Sequence, residues 1–364
     1  MENILIFGTG GRAEKVLKTV DEDSEIIGFI DNNEKKQGTL FHNKVVFSIN
    51  EINNLTWDVI VICSVAYKAI VKQLLEIGIA SEKIKSWEYF HRKRFLKEYN
   101  TQHYCNNIEI QKVVDYVKLK GLSVFNYPFK EKYEETCDIE VSYDRECDLY
   151  YVMYMGKKMY MKRSFTNKEE IKKYVCGILI EQDKKSPHCY LSPQFDVEKD
   201  DVVVDAGVAE GNFSLSIIER VKHIYMIESD DEWIEALHHS FAPYSDKVTI
   251  IKGFLCDKRD QLNCTLDDLF YHQKINFIKM DIEGAEPQAL LGGQKLLDFC
   301  HPKLDICVYH NQDDELKVTK IIEKKNYVIN LSEGYMVFFY DPQKMFNNEL
   351  MPLVHGLIRA EWRK

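Results

Sequence analysis

No C-x-x-C pair occurs among the ten cysteines of this 364-residue chain, which disfavours both a zinc ribbon and a redox motif. Cysteines scattered in this way are expected to be mostly buried free thiols in a reducing cytoplasm. A long apolar run is also missing. The longest stretch, residues 55–71, contains Asp58 and Lys68 and falls short of a membrane span. Positive charge is not in excess either. A net charge of −10 argues against a general nucleic-acid binder, whose affinity comes mainly from neutralising phosphates. The start, MENILIFGTGG, has an acid at position 2 and runs straight into a strand and turn, so no signal peptide is expected. What is present is 45% hydrophobic and 29% charged, the balance of a globular soluble protein, over a length that exceeds one ordinary core. The expectation is a cytoplasmic two-core protein with no transmembrane segment and no nucleic-acid partner. The sequence leaves room for a homo-oligomer.

Apolar strand patterns and helical patterns alternate over residues 1–98: NILIF, EIIGFI, VVFS and WDVIVICSV are strands, with RAEKVLKTV and YKAIVKQLLEIG as helices. Such alternation predicts a parallel sheet with helices on its faces. Residues 99–194 read as a mixed α+β connector that shapes an acceptor site. It holds a helix ending at Gly121, a hairpin turning at Gly156 and a helix KEEIKKYVCGILIEQ. A second strand–helix alternation fills 195–345 and closes with NYVINLSEGYMVFFYD, read as two strands around a Ser-Glu-Gly turn; 346–364 reads as a C-terminal extension. The fold class is therefore α/β, with two doubly wound Rossmann-like domains.

Each domain has a glycine loop after its first strand. In the first, Gly8, Gly10 and Gly11 have the G-x-G-x-x-A spacing, and Asp31 ends the next strand. Glycines there let backbone N–H groups approach a phosphate, and the acid suits a ribose hydroxyl. The reading is a nucleotide or nucleotide-sugar site; the alternative is a tight turn that binds nothing. The second loop, VVVDAGVAEGNFS, ends its strand on Asp205, turns through Gly207 and Gly211, and opens a helix at Asn212. Glu228 ends the following strand. An acid at the first strand end suits a ligand carrying positive charge and no phosphate. S-adenosylmethionine has an ammonium, a sulfonium and a ribose diol, so Asp205 is expected near its amino-acid portion and Glu228 at its ribose. Helix capping is the competing role for both acids. Ala209, Phe213, Ser229 and Asp257 complete the expected cofactor set.

INFIKMDIEGAEPQAL sends an apolar strand into Lys279, Asp281, Glu283 and Glu286. Strand alternation would point Lys279, Asp281 and Glu283 to one side, if the strand stayed regular that far. Pro287 suits the first turn of a helix, making Glu286 a cap-region residue. His310 ends KLDICVYH, and a histidine near neutral pKa is the usual general base. The catalytic candidates are thus Asp281, Glu283, His310 and Lys279. His188 and Tyr190, in SPHCY, are candidate acceptor or lid residues. No dense metal-ligand spacing occurs, and no metal is expected. The stretch GKKMYMKRSFTNKEEIKK carries seven basic residues against two acids, and reads either as a contact for a phosphate-bearing acceptor or as a solvated face.

VVVDAGVAEGNFSL, IYMIESDDEW, TLDDL, FIKMDIEGAEPQALLGG and LDICVYHNQDD, in that order over about 175–341, resemble the FkbM-type S-adenosylmethionine-dependent methyltransferases. EQDKKSPHCYL, residues 181–191, resembles the segment preceding the first motif in one bacterial branch, with Cys189 where a basic residue is expected. The resemblance implies a seven-stranded class I fold, S-adenosylmethionine as cofactor with S-adenosylhomocysteine as product, and transfer of a methyl group, usually to a hydroxyl of a sugar, nucleotide-sugar, glycan or related natural product. The N-terminal IFGTGGRAEKVL and IIGFIDNN are similar to the small Rossmann domain of bacterial amino-sugar acetyltransferases. Two other readings stand beside it: an NAD(P)-dependent oxidoreductase built on the Gly8 loop, and a non-catalytic nucleotide-sugar-binding protein. The first domain offers neither Tyr-x-x-x-Lys nor a catalytic histidine beside that loop.

Overall fold

A computed structural model describes residues 1–134, 138–260, 263–338 and 350–363. They form two compact units, one of residues 1–124 with 350–352 and the other of the described residues from 125 to 338 with 353–363, so the stretch 99–194 divides between them. No helix among the described residues is long and apolar enough to cross a membrane.

In the first unit, strands β1 (Glu2–Phe7), β2 (Ser24–Ile30), β3 (Leu40–Phe41), β4 (Lys44–Phe47), β5 (Val59–Ile62) and β6 (Ile84–Ser86) make one sheet in the order β3-β4-β2-β1-β5-β6. All neighbours are parallel except β3 and β4. β5 is buried along its whole length, as its unbroken VIVI run requires of a strand covered on both faces. Helix Tyr67–Glu76 buries Ile70 and Leu74 against the sheet.

The second unit opens with a meander, β7 (Val141–Asp144), β8 (Leu149–Tyr154) and β9 (Lys157–Tyr160). Met155 and Gly156 both adopt positive φ between β8 and β9, the geometry a two-residue hairpin turn demands. Helix Lys168–Glu181 follows, its first turn capped by the Asn167 side chain accepting from the Glu170 N–H at 2.8 Å. The main sheet contains β10 (Val202–Ala206), β11 (His223–Glu228), β12 (Val248–Lys252), β13 (Phe277–Met280), β14 (Lys303–Cys307), β15 (Tyr327–Leu331) and β16 (Leu357–Trp362), in the order β12-β11-β10-β13-β14-β16-β15. Chain direction reverses only at β16, antiparallel to both its neighbours. The order switches between β10 and β13, so the crevice for a ligand opens beyond their C-terminal ends.

Three expectations need correction here. Residues 346–364 are not a mere extension, because Leu357–Trp362 is the inner strand between β14 and β15. The segment Met336–Val337 pairs with Leu353–Val354 rather than with β15, and the end of the expected second strand lies outside the described residues. Nor are the thiols mostly buried: of the eight free cysteines among the described residues, Cys63, Cys189 and Cys307 are buried and the others reach solvent.

The core of this unit joins Val204, Ala206, Ile278, Met280, Leu304, Ile306 and Ile358 on the sheet to Leu290, Leu297, Val318 and Ile322 on helices. Each fully buried side chain of this size contributes about 1.5–3 kcal/mol relative to exposure. One register line breaks the apolar rule. Asp205 pairs with Lys279, Lys279 with Asp305, and Asp305 with Arg359, giving alternating charge across four adjacent strands.

Candidate active site

β10 delivers the chain into a turn that only glycine fits at two points. Gly207 has φ +72°, and a Cβ added there would lie 1.7 Å from the Asp281 carbonyl oxygen, so the ends of β10 and β13 touch through backbone. Gly211 has φ +84°, and its added Cβ would meet Phe241 and Leu237 within 3 Å. Between them the Ala209 N–H donates to Glu228 Oε2 at 2.9 Å. Glu228 Oε1 accepts from the Ser229 and Asp230 N–H groups at 2.7 and 2.9 Å. Three of the roughly four lone-pair directions of that carboxylate are thereby used, leaving room on Oε2 for one further donor.

A cavity of about 920 Å³ opens over these strand ends. Gly207, Ala209, Asn212, Glu228 and Ser229 line it on one side, and Lys279, Asp281, Glu283, Tyr190 and Tyr309 on another. Helix Lys168–Glu181 closes it with Lys173, Tyr174, Gly177, Ile178 and Glu181, successive positions of one helical face. The cavity is large enough for a nucleoside-sized molecule with a second ligand beside it.

Not every expected cofactor residue reaches this space. Asp205 is wholly buried beneath it, accepting from Ser214 Oγ at 2.7 Å and lying 3.0 Å from Lys279 Nζ. Its role in this geometry is to hold the strand ends. Phe213 packs its ring between Tyr190 and Phe277, inside the core. Asp257 is exposed and off the wall, whereas its neighbour Cys256 and Asn263 lie on it.

Lys279 is buried with Asp205, and its Nζ donates to the Gly207 carbonyl at 2.7 Å. Burial opposes its charge, but Asp205 and Asp281 outweigh burial and raise its pKa. Asp281 gathers four groups. Tyr190 Oη donates to Oδ2 at 2.7 Å, Tyr309 Oη to Oδ1 at 3.2 Å, His310 Nε2 lies 3.2 Å from Oδ1, and His188 Nε2 lies 3.6 Å from Oδ2. Burial works to raise the Asp281 pKa; the His310 contact and the charges of Lys279 and His310 prevail and hold it well below the usual carboxylate range.

His310 does not have the near-neutral pKa expected of a general base. Its Nδ1 lies 3.3 Å from Glu286 while Nε2 faces Asp281. Burial lowers its pKa, but the carboxylates of Asp281 and Glu286 beside its two nitrogens raise it to about 10, so it is an imidazolium at neutral pH. Glu286, wholly buried, also accepts from the Ile282 N–H at 2.8 Å, tying the helix start to the turn. His188 is the opposite case: burial lowers its pKa to about 4 and it stays neutral beneath Tyr190. It lies behind the Tyr190 ring, off the cavity wall, and is not a lid. Glu283 departs from strand alternation, because β13 ends at Met280 and Glu283 adopts φ +57° with its side chain 94% exposed.

Among the described residues, His188, Asp281 and Cys307, and separately Asp281, Glu286 and His310, converge closely enough to hold a cation. A protonated imidazole has no lone pair to offer, so the second group would have to release the His310 proton first. Much of the basic stretch is engaged: Lys157 pairs with Glu219, Lys158 with Asp144, Lys162 with Asp230, Arg163 with Glu235 and Lys172 with Glu169, whereas Lys173 faces the cavity.

Sequence reasoning did not single out Tyr174, Glu181, Glu210, Tyr309 or Arg359. Tyr174 Oη donates to the buried Glu210 at 2.5 Å, and Arg359 donates to the carbonyl of Cys189, bringing a basic group from β16 to the segment expected to carry its own. Glu181 opens the EQDKKSPHCYL stretch, which was the available signal.

In the first unit, Gly8, Gly10, Gly11 and Asp31 line a cavity of about 630 Å³. Asp31 already accepts from Thr9 Oγ1 at 2.5 Å, Lys36 Nζ at 3.0 Å and the Asn33 N–H at 2.9 Å. Burial raises its pKa, but these donors outweigh burial and lower it. Little acceptor capacity is left for a ribose diol.

Residues 162–329 match the family model of the methyltransferase FkbM domain, and residues 1–85 that of the C2185-like N-terminal domain. No curated protein matches the chain. Among solved structures, methyltransferase FkbM from Methylobacillus flagellatus KT is similar at 17% identity and a TM-score of 0.44, covering 99% of this chain and 90% of its own. An rRNA methylase from Streptococcus thermophilus matches 46% of this chain and 90% of its own, at 13% identity and a TM-score of 0.32. A Streptococcus mutans protein described as a methyltransferase, in complex with SAH, matches 54% of this chain and 99% of its own, at 15% identity and a TM-score of 0.31.

Proposed function

We propose, because residues 162–329 match the FkbM methyltransferase domain, that the chain is a methyltransferase of the S-adenosylmethionine type that methylates a hydroxyl oxygen of a sugar, glycan or related natural product. The observation that carries the acceptor reading is the wall at the strand ends. Tyr190, Tyr309 and Glu181 present hydrogen-bonding groups there, and Lys279 at the same strand ends is already paired with Asp205, which suits a neutral polyol. A nucleotide-sugar stays within the class, because Lys173 lines the cavity with no ion pair among the described residues. We assign the cytoplasm as its compartment on composition.

Gly207, Ala209, Asn212, Glu228 and Ser229 would hold the cofactor, with Gly211 shaping the turn behind them and Glu228 Oε2 free to accept a ribose hydroxyl. When bound, S-adenosylmethionine supplies an electrophilic methyl on a positively charged sulfur. The chain's own contribution is to align the acceptor oxygen, exclude water and take up the hydroxyl proton. Alignment supplies several kcal/mol and a positioned base about 10²- to 10⁴-fold. Lys279, Asp205, His310 and Glu286 keep the strand ends rigid beneath that alignment.

Calorimetry on the full chain with S-adenosylhomocysteine, NADH and UDP-sugars tests the class, and radiolabelled transfer to sugars and extracted glycans tests the acceptor. S-adenosylhomocysteine should bind and label should enter a neutral glycoside. NADH binding without any response to S-adenosylhomocysteine would overturn the reading.

A further inference from the structure

Methyl transfer to a hydroxyl releases a proton, and the strand-end groups are poorly placed to take it. Asp281 is saturated by two phenols and His310, which makes it a weak base. His310 already carries its proton between Asp281 and Glu286, and Lys279 is held charged by Asp205. His188 is buried under Tyr190, away from the cavity wall.

Glu181 is different. It is the last residue of helix Lys168–Glu181 and lines the same cavity as Asp281 and Tyr309. Glu228 is held by three N–H groups and Glu210 by Tyr174, but the Glu181 carboxyl has neither hydrogen bond nor ion pair among the described residues. We propose that Glu181 is the proton acceptor of the transfer centre, and that arrival of the cofactor's sulfonium ionises it. This rests on the methyltransferase reading above. In the step, an oxygen lone pair of the acceptor forms the C–O bond, the C–S electron pair returns to sulfur as a neutral thioether, and the hydroxyl proton passes to the Glu181 carboxylate.

The surroundings supply the coupling. Asp281 after β13, Glu210 in the glycine turn and the phenols of Tyr190 and Tyr309 face the cavity with Glu181, while Lys173 and Tyr174 line it from the same helix. Burial first, then Asp281 and Glu210, raise the Glu181 pKa to about 8, so the free protein holds it about nine-tenths protonated at pH 7. A positive charge a few Å away, at an effective dielectric of about 20, would lower that value by about two units. The carboxyl then becomes a competent base when the methyl donor is present.

Proton release on ligand binding tests this without an acceptor. Calorimetry near pH 7, in two buffers of different protonation enthalpy, compares S-adenosylmethionine with S-adenosylhomocysteine. Both carry the ammonium but only the first carries the sulfonium. The expected result is that S-adenosylmethionine releases most of one proton more than S-adenosylhomocysteine does, and that Glu181→Gln abolishes the difference while keeping S-adenosylhomocysteine affinity within about threefold. In the acceptor screen the same variant should transfer methyl at least about 100-fold more slowly. Equal release with the two ligands would assign Glu181 to the ammonium and overturn the proposal, as would full turnover by Glu181→Gln or its loss of S-adenosylhomocysteine binding. If neither ligand bound the unaltered chain, the parent reading would fail, and this one with it.

Discussion

Tyr190 Oη donates to Asp281 Oδ2 at 2.7 Å across 91 residues of sequence, fastening the segment before the first strand of the main sheet to the end of β13. The same ring packs edge-on against Phe213, and Lys279 Nζ lies 4.9 Å from its centroid. Removing only the hydroxyl should separate the bond from the packing. Tyr190→Phe is predicted to cost about 1 kcal/mol of stability, leave S-adenosylhomocysteine affinity within about threefold and slow transfer by about tenfold. Urea unfolding, calorimetry and the transfer assay read these three effects. A large fall in affinity with transfer intact would remove Tyr190 from the acceptor side.

His310 should make stability depend on pH in the alkaline range. Its pKa is raised by folding, so its stabilisation is complete below the unfolded value near 6.5 and is lost as pH rises through about 10. Asp281 has the opposite sign: its lowered pKa gives stability above the unfolded carboxylate value that disappears as pH falls through the folded one. The unaltered chain should therefore exceed His310→Gln by a few kcal/mol near pH 6, with the gap closing towards about pH 10. A gap independent of pH in urea titrations would contradict the imidazolium assignment.

Gly207 and Gly11 make a matched pair for the two glycine loops. An added Cβ at Gly207 strikes the Asp281 carbonyl, while at Gly11 it meets nothing within 4 Å. Gly207→Ala should lose about 3 kcal/mol or more and all S-adenosylhomocysteine binding; Gly11→Ala should lie within about 0.5 kcal/mol of the parent. Thermal unfolding of both, with calorimetry, decides it.

Deleting residues 353–364 removes β16 from between β14 and β15 and leaves the buried Asp305 without Arg359. Burial foremost, against the pull of Arg359 and Lys279, raises the Asp305 pKa to about 8. The truncated chain should show no cooperative unfolding of the second unit, because two exposed inner edges replace a paired strand. Cooperative unfolding with unchanged denaturant sensitivity, followed by circular dichroism, would show that β16 is dispensable.

Much of this protein is written locally in its sequence. Apolar runs of four to six residues place β1, β10 and β13, and the left-handed turns at Gly207 and Gly211 require glycine whatever surrounds them. The 23-residue spacing from Asp205 to Glu228 puts both acids at neighbouring strand ends, as two parallel strands joined by a helix must. Period and turn chemistry act over a few residues, so they can be read without a fold.

Protonation and access were settled by tertiary structure, because burial and partners come from distant parts of the chain. Asp205 sank beneath the cavity once Lys279 and Ser214 enclosed it. His310 became a fixed cation only when Asp281 and Glu286 closed on its two nitrogens. The charges that end β13 separate for the same reason: Lys279 is buried with Asp205, Asp281 is saturated, Glu283 swings into solvent after the strand stops, and Glu286 locks the helix start to His310. Alternation along the strand treated the first three as equals. The fold assigned each a different dielectric and a different set of donors, and brought Glu181 to the same wall from a helix that ends 100 positions before Asp281.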